Sequence, residues 1–266
     1  MNRITASLVL AASLFTVTAA GATATLGLVY GPVDNPGSLI QASDGNFYGV
    51  STGTNFYYPS TVFKVTPDGH FTTLLSAPYD PNGTVHYHDG NGYSSLVEGH
   101  DGFLYVVASG GGTPGALVAY PGTIVRITKS GTGYEVVHRF CSSPNCSDGG
   151  GPSTLALASD GNFYGATAGG ASSTCYLGCG TIFRLKTDGT FTVLYAPVRG
   201  EAIAPSFIDK QASDGNFYGP CYGFATSSPP GVCRITTSGQ VTPIRTCHSR
   251  GPILSGLHLL EEGETL

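Results

Sequence analysis

The sequence predicts an all-β fold, a β-propeller of four-stranded antiparallel blades, and three observations lead there. The stretch ASDGNFYG occurs letter for letter at Ala42–Gly49, Ala158–Gly165 and Ala212–Gly219, and a divergent copy, GHDGFLYV, at Gly99–Val106. The Asp-Gly of these copies, at Asp44, Asp101, Asp160 and Asp214, recurs at spacings of 57, 59 and 54 residues. A period of that length marks architectures whose units bury their faces against neighbours. Composition agrees, with 39 Gly, 15 Tyr, 13 Phe and only 11% charged residues among 266.

Taken in order, the chain opens with a segment that stands apart from the repeats. Arg3 gives a basic start, Ile4–Val17 an apolar run, and Thr18-Ala19-Ala20 and Ala22-Thr23-Ala24 are small-residue cleavage sites. Residues 1–24 are therefore expected to be a signal peptide, leaving a mature repeat domain, residues 25–266, of about 242 residues. The apolar run is too short and wrongly flanked for a spanning helix, and no transmembrane segment is expected in the mature chain. A secreted, periplasmic or cell-surface location follows.

Each unit divides into four short β-like runs. In the first they are SLIQA, NFYGVS, TVFKVT and HFTTLLS, joined by Ser43-Asp44-Gly45 and Pro67-Asp68-Gly69. The third repeats them as STLALA, NFYGAT, TIFRLK and TFTVLYA, joined by Ser159-Asp160-Gly161 and Thr187-Asp188-Gly189. Asp-Gly supplies the left-handed backbone that a short hairpin requires, so each Asp is read as a turn former. In the third run Val62, Phe63 and Val65 are apolar on both faces, which suits a sheet packed on each side by another sheet. The full repeats are expected over about residues 38–78, 94–140, 153–197 and 206–246.

The two ends read as parts of one more unit. Residues 25–31, TLGLVYG, match a fourth strand (compare FTVLYAP at 191–197), and 254–266, LSGLHLLEEGETL, match a first strand and the start of a second. The expectation is either a truncated chain or an incomplete fifth blade. A ring of five blades would need about 25 further residues.

A net charge of −5, with only 12 Lys and Arg, argues against nucleic acid and anionic membranes. Seven cysteines in an exported chain favour disulfides, with Cys141–Cys146, Cys175–Cys179 and Cys221–Cys233 as pairs and Cys247 left over. Zinc ligation by the same spacings is the alternative, which an oxidising compartment disfavours.

With DGNFYG, GTIFRLKTDGTFTVLY and FCSSPNCSDGG in view, the chain resembles the GloVer tandem-repeat family of exported bacterial proteins over residues 25–266. The resemblance implies a propeller-like fold and often a C-terminal anchoring or sorting segment. It implies no activity and no catalytic residues. The chain departs from the pattern at Phe103, Leu104, Tyr105 and Val106, and at CHSRGP, where Cys247 lacks a counterpart of Cys146. No anchor follows Leu266, which adds to the expectation of a truncated chain.

In such a blade the standardised turns lie on one face and the longer connections on the other. The connections GTNFYYPS, GGTPGALVAYPG, GGASSTCYLGCG and YGFATSSPPG vary in length and content, and function is expected there. Tyr57, Tyr58, Tyr120, Tyr176 and Tyr222 on these loops would stack on a ligand, although the absence of Trp weakens a sugar-binding reading. His86 and His88 lie two apart with Asp89 adjacent, a pattern able to bind a transition metal or supply a base. An exposed polar loop is the favoured reading of that stretch, since no third partner is identifiable. Asp34, Asp89, Asp148 and Glu201 precede the channel-lining strands and would form a carboxylate ring for Ca²⁺, with turn capping as the favoured alternative.

The one Gly-x-Ser-x-Gly match, GVSTG at Gly49–Gly53, falls in a β-like run and not at the strand-to-helix turn of a nucleophile elbow, and no phosphate loop or His-Glu-x-x-His occurs, so no catalytic residues and no cofactor other than Ca²⁺ are expected. The main expectation is a non-enzymatic propeller that meets an extracellular protein, a glycan or a surface polymer. Streptogramin lyases are similar in their Asp-Gly-Asn turns and imply an alternative, a metal-dependent enzyme on the loop face. A structural spacer of a larger surface protein is the third reading.

Overall fold

The computed structural model describes residues 35–52, 60–77, 90–111, 121–170, 180–197, 204–205, 208, 210–222 and 231–246. They form sixteen strands in four antiparallel four-stranded sheets. Blade 1 comprises β1 (Pro36–Gln41), β2 (Phe47–Ser51), β3 (Thr61–Val65) and β4 (Phe71–Ser76). Blade 2 comprises β5 (Asn91–Glu98), β6 (Leu104–Gly110), β7 (Thr123–Ile127) and β8 (Glu135–Arg139). Blade 3 comprises β9 (Gly150–Leu157), β10 (Phe163–Gly169), β11 (Ile182–Leu185) and β12 (Phe191–Tyr195). Blade 4 comprises β13 (Ala204–Pro205), β14 (Phe217–Tyr222), β15 (Gly231–Ile235) and β16 (Val241–Thr246). Within every blade the strands pair in chain order, so the architecture is that of propeller blades.

The repeated turn explains how each blade starts. Ala42 N–H bonds to Asn46 O, and Gly45 N–H to Ala42 O, both at 2.9 Å. This closes a three-residue loop whose last position needs positive φ, and Gly45 supplies it at +78°. Ala158–Asn162 and Ala212–Asn216 repeat the pairing, and Gly99–Phe103 does so without the Asn. The innermost strands β5 and β9 begin at Asn91 and Gly150, upstream of the expected starts. Their registers shift at Tyr93/Ser95 and opposite Ala166/Thr167, so bulges carry the strands past the canonical pattern of the turn into the crossing segments. In blade 4 the first strand is reduced to Ala204–Pro205, with a separate bridge from Gln211 to Phe217.

Packing joins the blades in sequence. Tyr48, Val50 and Val62 of blade 1 share a core with Leu96, Leu104, Val106 and Val125 of blade 2. Tyr105, Val107, Ile124 and Phe140 then meet Leu155, Phe163 and Phe183 of blade 3. Tyr164, Ala166 and Ile182 meet Ile208, Phe217 and Ile235 of blade 4. Tyr48 thus points forward along the chain while its neighbour Phe47 joins Phe63 and Val65 on the other face, as alternation along a strand requires. Each fully buried aromatic contributes about 1.5–3 kcal/mol, so the three cores dominate stability. Among the described residues no hydrophobic cluster joins blades 1 and 4. The expected closing strand at 25–31 and the partial fifth unit at 254–266 lie outside the described residues.

Candidate functional site

The face carrying the Asp-Gly turns holds a constellation that sequence reasoning missed. Tyr48 Oη donates to Asp44 Oδ2 at 2.8 Å, Tyr105 to Asp101 at 2.8 Å, Tyr164 to Asp160 at 2.8 Å and Tyr218 to Asp214 at 2.6 Å. Asn46, Asn162 and Asn216 each donate from backbone and side chain to the same carboxylates. Opposite each Tyr in the register stands a cation: Lys64, Arg126, Arg184 and Arg234.

The electrostatics follow from these contacts. Burial would raise the Asp44 and Asp160 carboxyls, but the donated hydrogen bonds outweigh it and hold both below 3.8. The Tyr218 and Asn216 bonds take Asp214 down to about 2. Burial and the facing carboxylate push Tyr105 and Tyr164 up to about 12. These tyrosines stay neutral donors at any physiological pH, and their carboxylates are spent on internal bonds. The constellation locks the turn to the second strand.

Cross-blade contacts on this face differ from one junction to the next. Ser43 donates from N–H and Oγ to Glu98, each at 2.7 Å, and Lys129 pairs with the same Glu98. Between blades 3 and 4, Ser159 N–H instead donates to Gln211 Oε1 at 2.7 Å. Arg126 bonds Glu135 at 2.6 Å and 2.9 Å and reaches Thr187 O of blade 3 at 3.2 Å. Arg184 and Arg234 lack a carboxylate at Glu135's place, and their Nε atoms are buried without a hydrogen-bond partner.

On the opposite side, one crossing is described in full, between β8 and β9. A disulfide joins Cys141 and Cys146, and Cys141, Asn145 and Cys146 all have φ between 52° and 57°. Asp148 is buried within this loop and accepts Ser142 N–H at 3.0 Å, Ser142 Oγ at 2.8 Å and Ser143 N–H at 3.3 Å. His138 Nε2 lies 3.5 Å from Asp148 Oδ2 without a well-directed hydrogen bond. The His138 ring stacks on Phe191 at 3.7 Å and meets Phe140 edge-on at 4.7 Å. Burial acting on Asp148 is outweighed by the His138 and Ser142 contacts, so its carboxyl is held low.

A second disulfide joins Cys221 of β14 to Cys233 of β15, stapling the hairpin below its connection. The other candidates, His86, His88, Asp89, Asp34, Glu201, Tyr57, Tyr58, Tyr120, Tyr176, Cys175, Cys179 and Cys247, lie outside the described residues, and Tyr222 is described only as part of β14. Among the described residues no group of three or more His, Cys, Asp or Glu side chains gathers as metal ligands. None of their helices is long and apolar enough to cross a membrane.

The fold is shared with solved enzymes. A catalytically inactive virginiamycin B lyase from Staphylococcus aureus, solved with quinupristin, aligns with a TM-score of 0.51 at 18% identity, over 82% of this chain and 56% of that one. A putative gluconolactonase aligns with a TM-score of 0.50 at 12% identity, over 82% of this chain and 65% of that one. The chain thus spans between half and two thirds of each. Likeness at this identity shows the fold alone. No curated protein matches the sequence. The Gloeobacter/Verrucomicrobia repeat model, in contrast, matches residues 35–257, and the chain belongs to that family.

Proposed function

We propose that this propeller is an exported, non-enzymatic binding module, freed of residues 1–24, whose blade-crossing face meets an extracellular protein, glycan or surface polymer. One contrast carries the reading. The turn face repeats a single internal clamp, Asp to Tyr, in all four blades. The connections on the other face differ from one another in sequence, and disulfides staple the crossing from blade 2 to blade 3 and the β14–β15 hairpin of blade 4. A scaffold that keeps one face constant and varies the other places recognition on the varied face. Cys175–Cys179 is proposed as a third staple of the same kind, and Tyr176 and Tyr222 as ligand-facing aromatics.

The likeness to the virginiamycin B lyase structure favours a second reading, a metal-dependent enzyme using His86 and His88 beside Asp89. The two are separated by titrating the protein calorimetrically with Ca²⁺, Mg²⁺ and Zn²⁺ and by comparing it with His86→Ala and His88→Ala. The binding reading expects ligand retention to survive both substitutions. Stoichiometric metal uptake abolished by either substitution would favour the enzyme, and uptake abolished by Asp34→Asn or Glu201→Gln would favour the carboxylate ring.

A further inference from the structure

Asp-Gly bonds recur throughout the chain, and on the turn face they stand at Asp44, Asp68, Asp101, Asp160, Asp188 and Asp214. This dipeptide undergoes a rearrangement that needs no enzyme. The glycine nitrogen attacks the aspartate Cγ, a C–N bond forms, and the carboxyl hydroxyl leaves with the amide proton as water. Water then opens the cyclic imide at either carbonyl. One opening restores aspartate; the other routes the main chain through the side-chain carboxyl, giving isoaspartate. Glycine permits the attack because no Cβ shields its nitrogen. Since Cγ must swing onto that nitrogen, whatever holds the carboxylate opposes the reaction.

The six turns are alike in most respects that bear on this chemistry. All six aspartates are exposed. Each following glycine has positive φ, and its N–H is bonded to the carbonyl three residues back, as Gly69 to Thr66 O at 2.8 Å and Gly161 to Ala158 O at 2.9 Å. Burial acts against Asp44 and Asp160, yet their hydrogen bonds hold both below 3.8; the Thr66 hydroxyl does the same for Asp68, and Thr190 N–H for Asp188. Protonation therefore does not set the turns apart. The grip on the carboxylate does. At Asp44, Oδ1 accepts Asn46 N–H at 3.1 Å, while Oδ2 accepts Asn46 Nδ2–H at 2.9 Å and Tyr48 Oη at 2.8 Å. Asp160 and Asp214 repeat all three bonds, and Asp101 is held at both oxygens by Phe103 N–H and Tyr105 Oη. At Asp68 and Asp188 the places of the asparagine fall to His70 and Thr190, and those of the tyrosine to Thr72 and Thr192. There the grip is local: the Thr66 hydroxyl donates to Asp68 Oδ1, and Thr190 N–H to Asp188 Oδ1 at 2.8 Å.

We propose that Asp68 and Asp188 are sites of spontaneous isoaspartate formation in the folded protein, and that the Asp–Tyr clamp shields Asp44, Asp101, Asp160 and Asp214 from the same rearrangement. The modification then falls on the β3–β4 turn of blade 1 and the β11–β12 turn of blade 3. The corresponding turns of blades 2 and 4 carry Ser130-Gly131 and Ser238-Gly239, which cannot form the imide. An isoaspartate lengthens the main chain between residue 68 or 188 and its glycine, so the hydrogen bonds from Gly69 to Thr66 O and from Gly189 to Lys186 O no longer fit the turn.

The full chain, held folded in mildly acidic buffer and sampled over time, tests this by peptide mapping with electron-transfer fragmentation, which separates the two isomers at each site. Asp68 and Asp188 should convert at least about tenfold faster than Asp44, Asp160 and Asp214, the factor that one hydrogen bond to a charged group supplies. Unfolding the chain in guanidinium chloride should abolish the difference. Tyr164→Phe should raise conversion at Asp160 severalfold and leave Asp68 and Asp188 as they were. Equal conversion at Asp68, Asp188 and Asp160 in the folded native chain overturns the proposal, as does Asp68 and Asp188 remaining unconverted while the unfolded chain forms isoaspartate there. An unchanged Asp160 in a folded Tyr164→Phe variant overturns the shielding by the clamp. Should that variant not fold, the comparison of sites within the native chain decides by itself.

Discussion

The Tyr164 hydroxyl donates to Asp160 Oδ2 at 2.8 Å, linking a 1% exposed ring to the turn that begins its own hairpin. Tyr164→Phe keeps the packing and removes only this bond. The expected loss is about 1 kcal/mol, since Asn162 still satisfies the carboxylate. Asp160→Ala should cost more, about 1.5–3 kcal/mol, because a buried hydroxyl and two amide donors lose a charged acceptor. Urea midpoints with unchanged slope check both, and two unchanged midpoints would mean that the clamp contributes nothing.

Acid should unfold the protein through these carboxylates. Asp148 and Asp160 are held below 3.8 in the folded state, so the folded protein binds fewer protons than the unfolded chain. Their stabilisation is complete above the unfolded value and is lost as pH falls through the folded one. Unfolding free energy should be flat above about pH 5 and fall below about pH 4. Asp148→Asn should flatten that fall, and urea titrations across the range will show whether it does.

Two glycine substitutions should differ in kind. A Cβ at Gly165 would lie 2.3 Å from Phe183 Cζ and 2.6 Å from Thr154 O, a backbone atom that cannot step aside. Gly165→Ala should therefore cost about 1–3 kcal/mol or more through overpacking. At Gly45, with φ at +78°, nothing lies within 4 Å, and Gly45→Ala carries only left-handed strain of about 1 kcal/mol. Thermal midpoints in that order are expected, and the reverse order would contradict the register of β10 with β11.

Arg184 can be given the partner that Arg126 has. Thr192 faces Arg184 across the strand pair as Glu135 faces Arg126. Thr192→Glu should stabilise by about 0.2–1 kcal/mol at low salt, and Glu135→Thr should destabilise by a similar amount. A scanning-calorimetry pair at two ionic strengths checks the sign and the expected screening.

How far the sequence carries the account differs between its two faces. Three identical ASDGNFYG copies located the hairpins and their blades, because a tight turn states its backbone demand in its own residues. The Tyr partner of each Asp was four residues away in the same motif and went unread, since Asp-Gly already had a sufficient explanation as a turn. The cation was less visible. Arg184 meets Tyr164 only through the antiparallel register, although a Lys or Arg recurs at one place in TVFKV, TIVRI, TIFRL and GVCRI. Asp148 shows the limit on the other face. Its sequence favoured turn capping over a channel-mouth carboxylate, but its burial depends on a fold-back of the Cys141–Cys146 loop toward His138 that no local pattern encodes.

The most direct test of the account is saturable binding to an array of extracellular glycans and proteins. The native protein is compared with a variant in which residues 53–59, 112–120, 171–179 and 223–230 are replaced by Gly-Ser segments of equal length. The account predicts a ligand bound by the native protein and lost in the variant, while a turn-face variant, Asp68→Asn, binds normally. Binding that survives the loop replacement, or that follows the turn-face change instead, would contradict it.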